Sequence, residues 1–139
     1  MREAGGMDDP VFDLAEHPVH LGLGATVERL GRFTGTPDWY QAYEAAHAAD
    51  GAEGRLVSLH TFTEPWDSWE MHPVGEELVV AVSGVITLHQ ELLDGVHTVE
   101  LRPGQAVVNP AGVWHTADVA GEATVLFVTA GAGTEVRSR

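Results

Sequence analysis

The densest cluster of side chains able to do chemistry is Trp-Glu-Met-His-Pro-Val-Gly-Glu-Glu, residues 69–77. Glu70 and His72 are two apart on what reads as an extended segment, so both side chains project to one face. Pro73-Val74-Gly75 then turns the chain, and Glu77 opens a run of five apolar residues. A carboxylate at the head of a buried strand needs a partner. His115, beside Trp114 and just after Pro110-Ala111-Gly112, is the fourth candidate. Two carboxylates and two imidazoles gathered from neighbouring strands form a donor set suited to a divalent ion such as iron, manganese, nickel or zinc. The same four residues would equally make a metal-free cluster, with Glu70 and Glu77 hydrogen-bonded to His72 and His115. The sequence leaves both open, and no catalytic residue can be assigned from it.

Other candidates are weaker. His60 and His89 fall in strands, and Trp66 and Trp114 carry large rings near the motif, so all four are possible pocket lining. His97 follows a turn and is expected to face solvent, whereas His17, His20 and His47 precede the strand-rich region and show no evident partner. There is no cysteine, which excludes disulfides, thiolate ligands and a thiol nucleophile. No phosphate-cradling glycine loop or nucleophile elbow is present.

Positioning these residues requires many short strands. After Gly54 the pattern is short β-type runs with turn residues between them: 55–63, 69–72, 77–82, 85–93, 96–101, 105–109, 113–119 and 123–130. The run 77–82, apolar on both alternating faces, reads as a strand enclosed on both sides. Asp94-Gly95 is the hairpin signal between two of the runs. Ahead of them, Thr36, Pro37 and Asp38 are a helix start, Trp39, Tyr43 and Ala46 recur at helical spacing, and Asp50-Gly51 is a stop, giving a helix over 37–49. Its aromatic stripe reads as a packing face, with a lid over a pocket as the alternative. The expected organisation is a flexible acidic lead-in over 1–16, an arm and helix over 17–54, and a β-barrel over 55–135. The barrel could be a sandwich, a jelly roll or a closed barrel.

The spacing of the chemical residues resembles the cupin superfamily. In its first motif, Gly-x5-His-x-His-x3–4-Glu-x6-Gly, this chain offers Glu64, Glu70, His72, Glu77 and Gly84 in register. In the second, Gly-x5-Pro-x-Gly-x2-His-x3-Asn, it offers Gly104, Pro110, Gly112, His115 and Val119. Glu64 and Val119 depart from the pattern, and Glu70 stands where the first metal-binding histidine is usual. The resemblance covers about residues 57–131 and implies an all-β cupin jelly-roll barrel (a double-stranded β-helix) with a short N-terminal helix. It also implies a metal set of Glu70, His72, Glu77 and His115, in which Glu70 is either a ligand or a free base. Two uses of the pocket follow from it: a metal-dependent enzyme acting on a small polar molecule, or a barrel that binds a small ligand without turnover. Whether the chain is an enzyme stays open. Homodimerisation by exchange of N-terminal strands over 16–30 is a further implication.

The totals are consistent with one such domain. The chain has 139 residues, 44% of them hydrophobic, and a formal charge of −14 from 21 acidic residues against seven arginines and no lysine. So acidic a chain repels phosphate backbones and anionic membranes, which argues against nucleic-acid and membrane partners. Neither of its longest apolar runs approaches the roughly 20 residues of a membrane helix. The start, with Glu3, Asp8 and Asp9, lacks the apolar core of a signal peptide, so the cytoplasm is the expected compartment.

Overall fold

The computed structural model describes residues 9–139. Eleven strands and one α-helix are present among them: β1 (Val19–Gly22), β2 (Thr26–Arg29), α1 (Pro37–His47), then β3 (Arg55–Phe62), β4 (Ser68–Met71), β5 (Glu77–Ser83), β6 (Ile86–Leu92), β7 (Gly95–Leu101), β8 (Ala106–Asn109), β9 (His115–Val119), β10 (Ala123–Thr129) and β11 (Glu135–Ser138). A 3-10 helix over Ala48–Glu53 follows α1. The strands form two antiparallel sheets, one ordered β2-β1-β3-β10-β5-β8 and the other β11-β4-β9-β6-β7. This is the all-β jelly-roll arrangement expected from the sequence, with one short helix ahead of it.

Strand periodicity decides what faces inward. Along β10, Ala123, Val125, Phe127 and Thr129 are buried while the residues between them are half-exposed. Ala123, Val125 and Phe127 form one apolar core with Val79, Ala81, Ile86, Leu88, Leu101 and Ala117. Each Val, Leu, Ile or Phe among them, once fully buried, stabilises the fold by about 1.5–3 kcal/mol. The inward row changes character at one end of the barrel, where Glu77, Gln90, Asn109, His115 and Thr129 are buried polar groups. The core therefore sits at one end and the chemistry at the other.

Two glycines fix the turns that hold this arrangement. Gly84 has φ +70°, and a Cβ there would lie 2.1 Å from the Glu122 carbonyl oxygen, so the first motif's closing glycine is a close-approach point. Gly112 has φ +78°, and its amide donates to the His72 carbonyl at 2.9 Å. The second motif's turn thus braces the backbone of a residue in the first.

Several expectations need correcting. β5 is not enclosed on both sides: Val79 and Ala81 are buried, but Leu78 and Val82 on the other face are 39% and 50% exposed. The hairpin turn is Leu93-Asp94, since Leu92 pairs with Gly95, and Gly95 (φ +127°) enters the strand. α1 ends at His47, two residues early, where the chain tightens into the 3-10 turn. Over the expected arm, β1 and β2 form a hairpin, and β1 also pairs with β3. Of the lead-in expected to be flexible, residues 1–8 lie outside the described residues. Residues 9–16 are tied down: Arg29 donates to the Asp9 carbonyl at 2.7 Å, and the Phe33 amide donates to the Glu16 carbonyl at 2.8 Å. His17 and His20 are buried and partnered, not bare. Strand β11 (Glu135–Ser138) lies beyond the expected strand runs.

Candidate metal centre

β4 pairs with β9 through Glu70 opposite His115, which puts the two side chains on the same inner face. His72, two residues after Glu70, keeps that face as the chain leaves β4. One donor atom each from Glu70, His72 and His115 lies within 4.8 Å of the others. Among the described residues this is the one group of three or more such side chains placed to hold an ion. Glu77 enters from the opposite sheet. Its two carboxylate oxygens lie 3.3 Å from His72 Nε2 and 3.3 Å from His115 Nε2, yet Glu77 is not in that compact group of three. Of the four expected residues, three face one another directly and the fourth backs the two imidazoles.

The far nitrogens fix the ring orientations. The Thr134 hydroxyl donates to the Gly131 carbonyl at 2.7 Å, so it accepts from His72 Nδ1–H at 2.8 Å. His115 Nδ1–H donates to the Val113 carbonyl at 3.2 Å. Both rings therefore turn Nε2 inward, and both Nε2 atoms are buried without a hydrogen-bond partner. Metal-binding histidines are held in just this way, with the second nitrogen donating to a fixed acceptor.

Glu77 has its own support. Asn109 Nδ2 donates to one oxygen at 3.0 Å and Thr129 Oγ1 to the other at 2.6 Å. Gln90 crosses from the facing sheet to donate to Asn109 Oδ1 at 2.7 Å and to the Val108 carbonyl at 2.9 Å. Burial alone would raise the Glu77 carboxyl, but its close contacts with His115 and His72 outweigh that and hold it well below the usual carboxylate range. Burial pushes the Glu70 carboxyl up, and the Glu77 charge adds to the rise. For His115, burial opposes protonation, but Glu77 overcomes it and raises the imidazole.

Aromatic rings pack beside the cluster. Phe33 lies 4.9 Å from His60, His60 is 5.9 Å from Phe127, Phe62 is 5.5 Å from Trp66, and Trp66 stands 6.3 Å from His115. Burial lowers the His60 imidazole, keeping it neutral within this wall. Tyr40 reaches the same end from α1: burial, then the Glu70 and Glu77 carboxylates, push its phenol up to about 12. Trp39 and Tyr40 pack against Phe33, at 4.9 and 5.7 Å between ring centroids, which is the packing face expected of the stripe.

Two of the four lining candidates are elsewhere. His89 lies one residue off the inward row of Leu88 and Gln90, and it donates to Asp118 at 2.7 Å while accepting from Thr98 at 2.8 Å. Trp114 is one residue off His115. With Trp69 it flanks the Arg137 guanidinium, at 4.6 and 5.2 Å from the ring centroids, on the outer face. Thr129, Asn109, Gln90, Thr134 and Tyr40 were not singled out from sequence. A separate cleft of about 250 Å3, lined by His20, Tyr43, Glu44, His47 and neighbouring small residues, lies away from the cluster. Its imidazoles are already committed: His20 to Tyr43 and Asp50, His47 to the Tyr43 carbonyl and Glu28.

Residues 61–131, just over half the chain, match the family described as cupin domain. The chain belongs to the cupin family. No curated protein matches it. Among solved structures it is similar to a cupin-2 domain-containing protein from Shewanella frigidimarina, at 19% identity over 54% of this chain and 69% of that one, with a TM-score of 0.47. It is also similar to peruvianin-I, a cysteine peptidase from Thevetia peruviana latex, at 20% identity over 60% and 56% of the two chains, TM-score 0.51. A third is hydroquinone 1,2-dioxygenase from Sphingomonas sp. TTNP3, at 18% identity over 52% and 57%, TM-score 0.46. At these identities the likeness shows the cupin fold alone. Among the described residues, no helix of this cupin is long and apolar enough to cross a membrane.

Proposed function

We propose that this cupin is a metal-dependent enzyme acting on a small polar molecule, with Glu70, His72 and His115 as ligands and Glu77 behind the imidazoles. The observation that carries the reading is the pair of buried, unpartnered Nε2 atoms turned toward each other and toward Glu70. A carboxylate facing two imidazole nitrogens at 3.3 Å is repulsive unless a positive charge lies among them. The donor set of two imidazoles and one carboxylate is one that ferrous iron takes with positions left open, and manganese, nickel or zinc are compatible with it. Bound there, the ion would supply Lewis-acid polarisation of a substrate oxygen, or redox chemistry if it is iron.

The chain's own residues do the rest. Thr134 and Val113 orient the imidazoles, while Asn109 and Thr129 hold Glu77 in place. Glu70, whose carboxyl is raised by burial, is suited to taking a proton whenever it is not a ligand. Phe62 and Phe127 pack against Trp66 beside His115 and keep that side of the site apolar.

A second reading is supported by the closeness of Glu77: it favours a protonated His115 imidazole and would balance that charge in a metal-free barrel that binds a ligand without turnover. Elemental analysis of protein purified without chelators separates the two. Near-stoichiometric metal in the parent, and none in the His72→Ala/His115→Ala double variant, is the expected result. A parent that stays metal-free after reconstitution with iron, manganese, nickel and zinc in turn overturns the metalloenzyme reading in favour of the second.

A further inference from the structure

We infer that the Trp66 indole N–H is a specificity donor, fixing an oxygen of a flat, oxygen-chelating ligand at the Glu70–His72–His115 centre. The inference rests on the metal reading above and asks what else the site recognises. Trp66 Nε1 is buried without a hydrogen-bond partner, although the residue's backbone is fully engaged: its amide donates to the Ala117 carbonyl and its carbonyl accepts from Arg139. An indole nitrogen only donates, so unlike the two orphaned imidazole nitrogens it cannot be satisfied by a cation. It requires an acceptor, and leaving a buried donor unmet is costly.

No protein acceptor bonds this nitrogen, and the Ala117 carbonyl already takes Trp66's own amide and Arg139. The Trp66 ring meets His115 edge-on, at 64° and 6.3 Å between centroids, so it borders the ring that faces the ion. An acceptor there would arrive as an oxygen of a molecule bound at the centre. The rest of the wall selects the shape of that molecule. Phe62 and Phe127 flank Trp66 at 5.5 and 6.1 Å, and neutral His60 and Phe33 continue the rings outward. Such a wall favours a planar, unsaturated body. Charge narrows the class further: a divalent ion with the Glu70 and Glu77 carboxylates sums to zero, so a monoanion is accepted with less repulsion than a dianion.

Tropolone, a flat monoanionic chelator with two adjacent oxygens, is the probe. Zinc-loaded, nitrogen-15-labelled protein is titrated with it while the indole N–H resonances are followed, and zinc content is measured on the same sample. The chain has four tryptophans, so the Trp66 signal is identified by its loss in Trp66→Phe. If that variant fails to fold, replacing Trp39, Trp69 and Trp114 one at a time assigns the signal by elimination. The expected result is a downfield shift of the Trp66 resonance, larger than at any other tryptophan. Trp66→Phe should retain its zinc and bind tropolone about tenfold more weakly, the usual loss for a hydrogen bond to a charged acceptor. Zinc bound with a stationary Trp66 signal on tropolone binding, or parent-like affinity in Trp66→Phe, overturns this inference and leaves the metal reading standing. Failure of the parent to take up zinc or any other divalent ion overturns both.

Discussion

Replacing Thr129 by Val tests whether Glu77 is an ionised group held by neutral donors. The two side chains are nearly the same shape, so the change removes one hydroxyl from the end of the β10 inward row and little else. The bond lost, from Thr129 Oγ1 to Glu77 Oε2 at 2.6 Å, is buried and charge-assisted. Bonds of that kind contribute about 1.5–3 kcal/mol. The methyl that replaces the hydroxyl is buried and returns about 0.8 kcal/mol. The net loss should be roughly 1–2 kcal/mol, which for a domain of this size lowers Tm by about 3–8 °C. The assay is thermal unfolding at neutral pH, with chelator present so that metal binding does not enter. A double-mutant cycle with Glu77→Gln sharpens it, because without the charge the hydroxyl has far less to stabilise. The double variant should lose at least 1 kcal/mol less than the sum of the single losses, by roughly the strength of one such bond. Additive losses, or a Thr129→Val Tm within a degree of the parent, would refute the description of Glu77 as a charge dependent on this donor.

Three further outcomes are expected. In the parent, saturating zinc or ferrous iron should raise Tm, with stabilisation of about 2.7 kcal/mol at a hundredfold excess over Kd, and His72→Ala should abolish the rise; an equal rise in that variant contradicts the assignment. Absorbance titration of the two tyrosines should show no ionisation step near pH 10 in the folded protein, since Tyr40 is pushed up to about 12 and burial raises Tyr43 further. As the unfolded chain releases those protons first, stability should be unaffected by tyrosine below pH 10 and fall as pH rises beyond it; a native step at the ordinary value removes Tyr40 from the carboxylates. Gly84→Ala should destabilise far more than Gly95→Ala, because the added Cβ meets the Glu122 carbonyl at 2.1 Å in the first case and open space in the second; similar losses in differential scanning calorimetry would show that φ, not crowding, governs both.

The inward set Glu70, His72, Glu77 and His115 was legible because strand parity and motif spacing operate along the chain. Parity was also the signal that could have removed Trp114 and His89, each one residue from an inward side chain. Thr129 could have been found by continuing the alternation of 123, 125 and 127 to its polar end. Asn109, Gln90 and Thr134 could not, because their partners come from other strands and depend on register, which apolar patterning fixes only loosely. Helix α1 was readable from its start signals, but its packing against Phe33 and His20 is a tertiary matter that no periodicity shows. Strand β11, Glu-Val-Arg-Ser, carries one apolar residue and so gives almost no pattern. It is held instead by pairing with β4 and by the Arg137 contacts with Trp69, Trp114 and Glu91.

That edge strand bears on how quickly an ion could come and go. β11 is the outermost strand of its sheet, its only neighbour is the strand that carries Glu70, and the turn leading into it contains Thr134, the acceptor for His72. When the edge frays, one ligand loses its backbone partner and another loses the group that orients its ring, while the apolar core at the far end is untouched. Ion exchange would then be limited by opening of the last few residues rather than by unfolding of the barrel. Arg137, clasped between two indoles, would set the residence time of an ion it never touches.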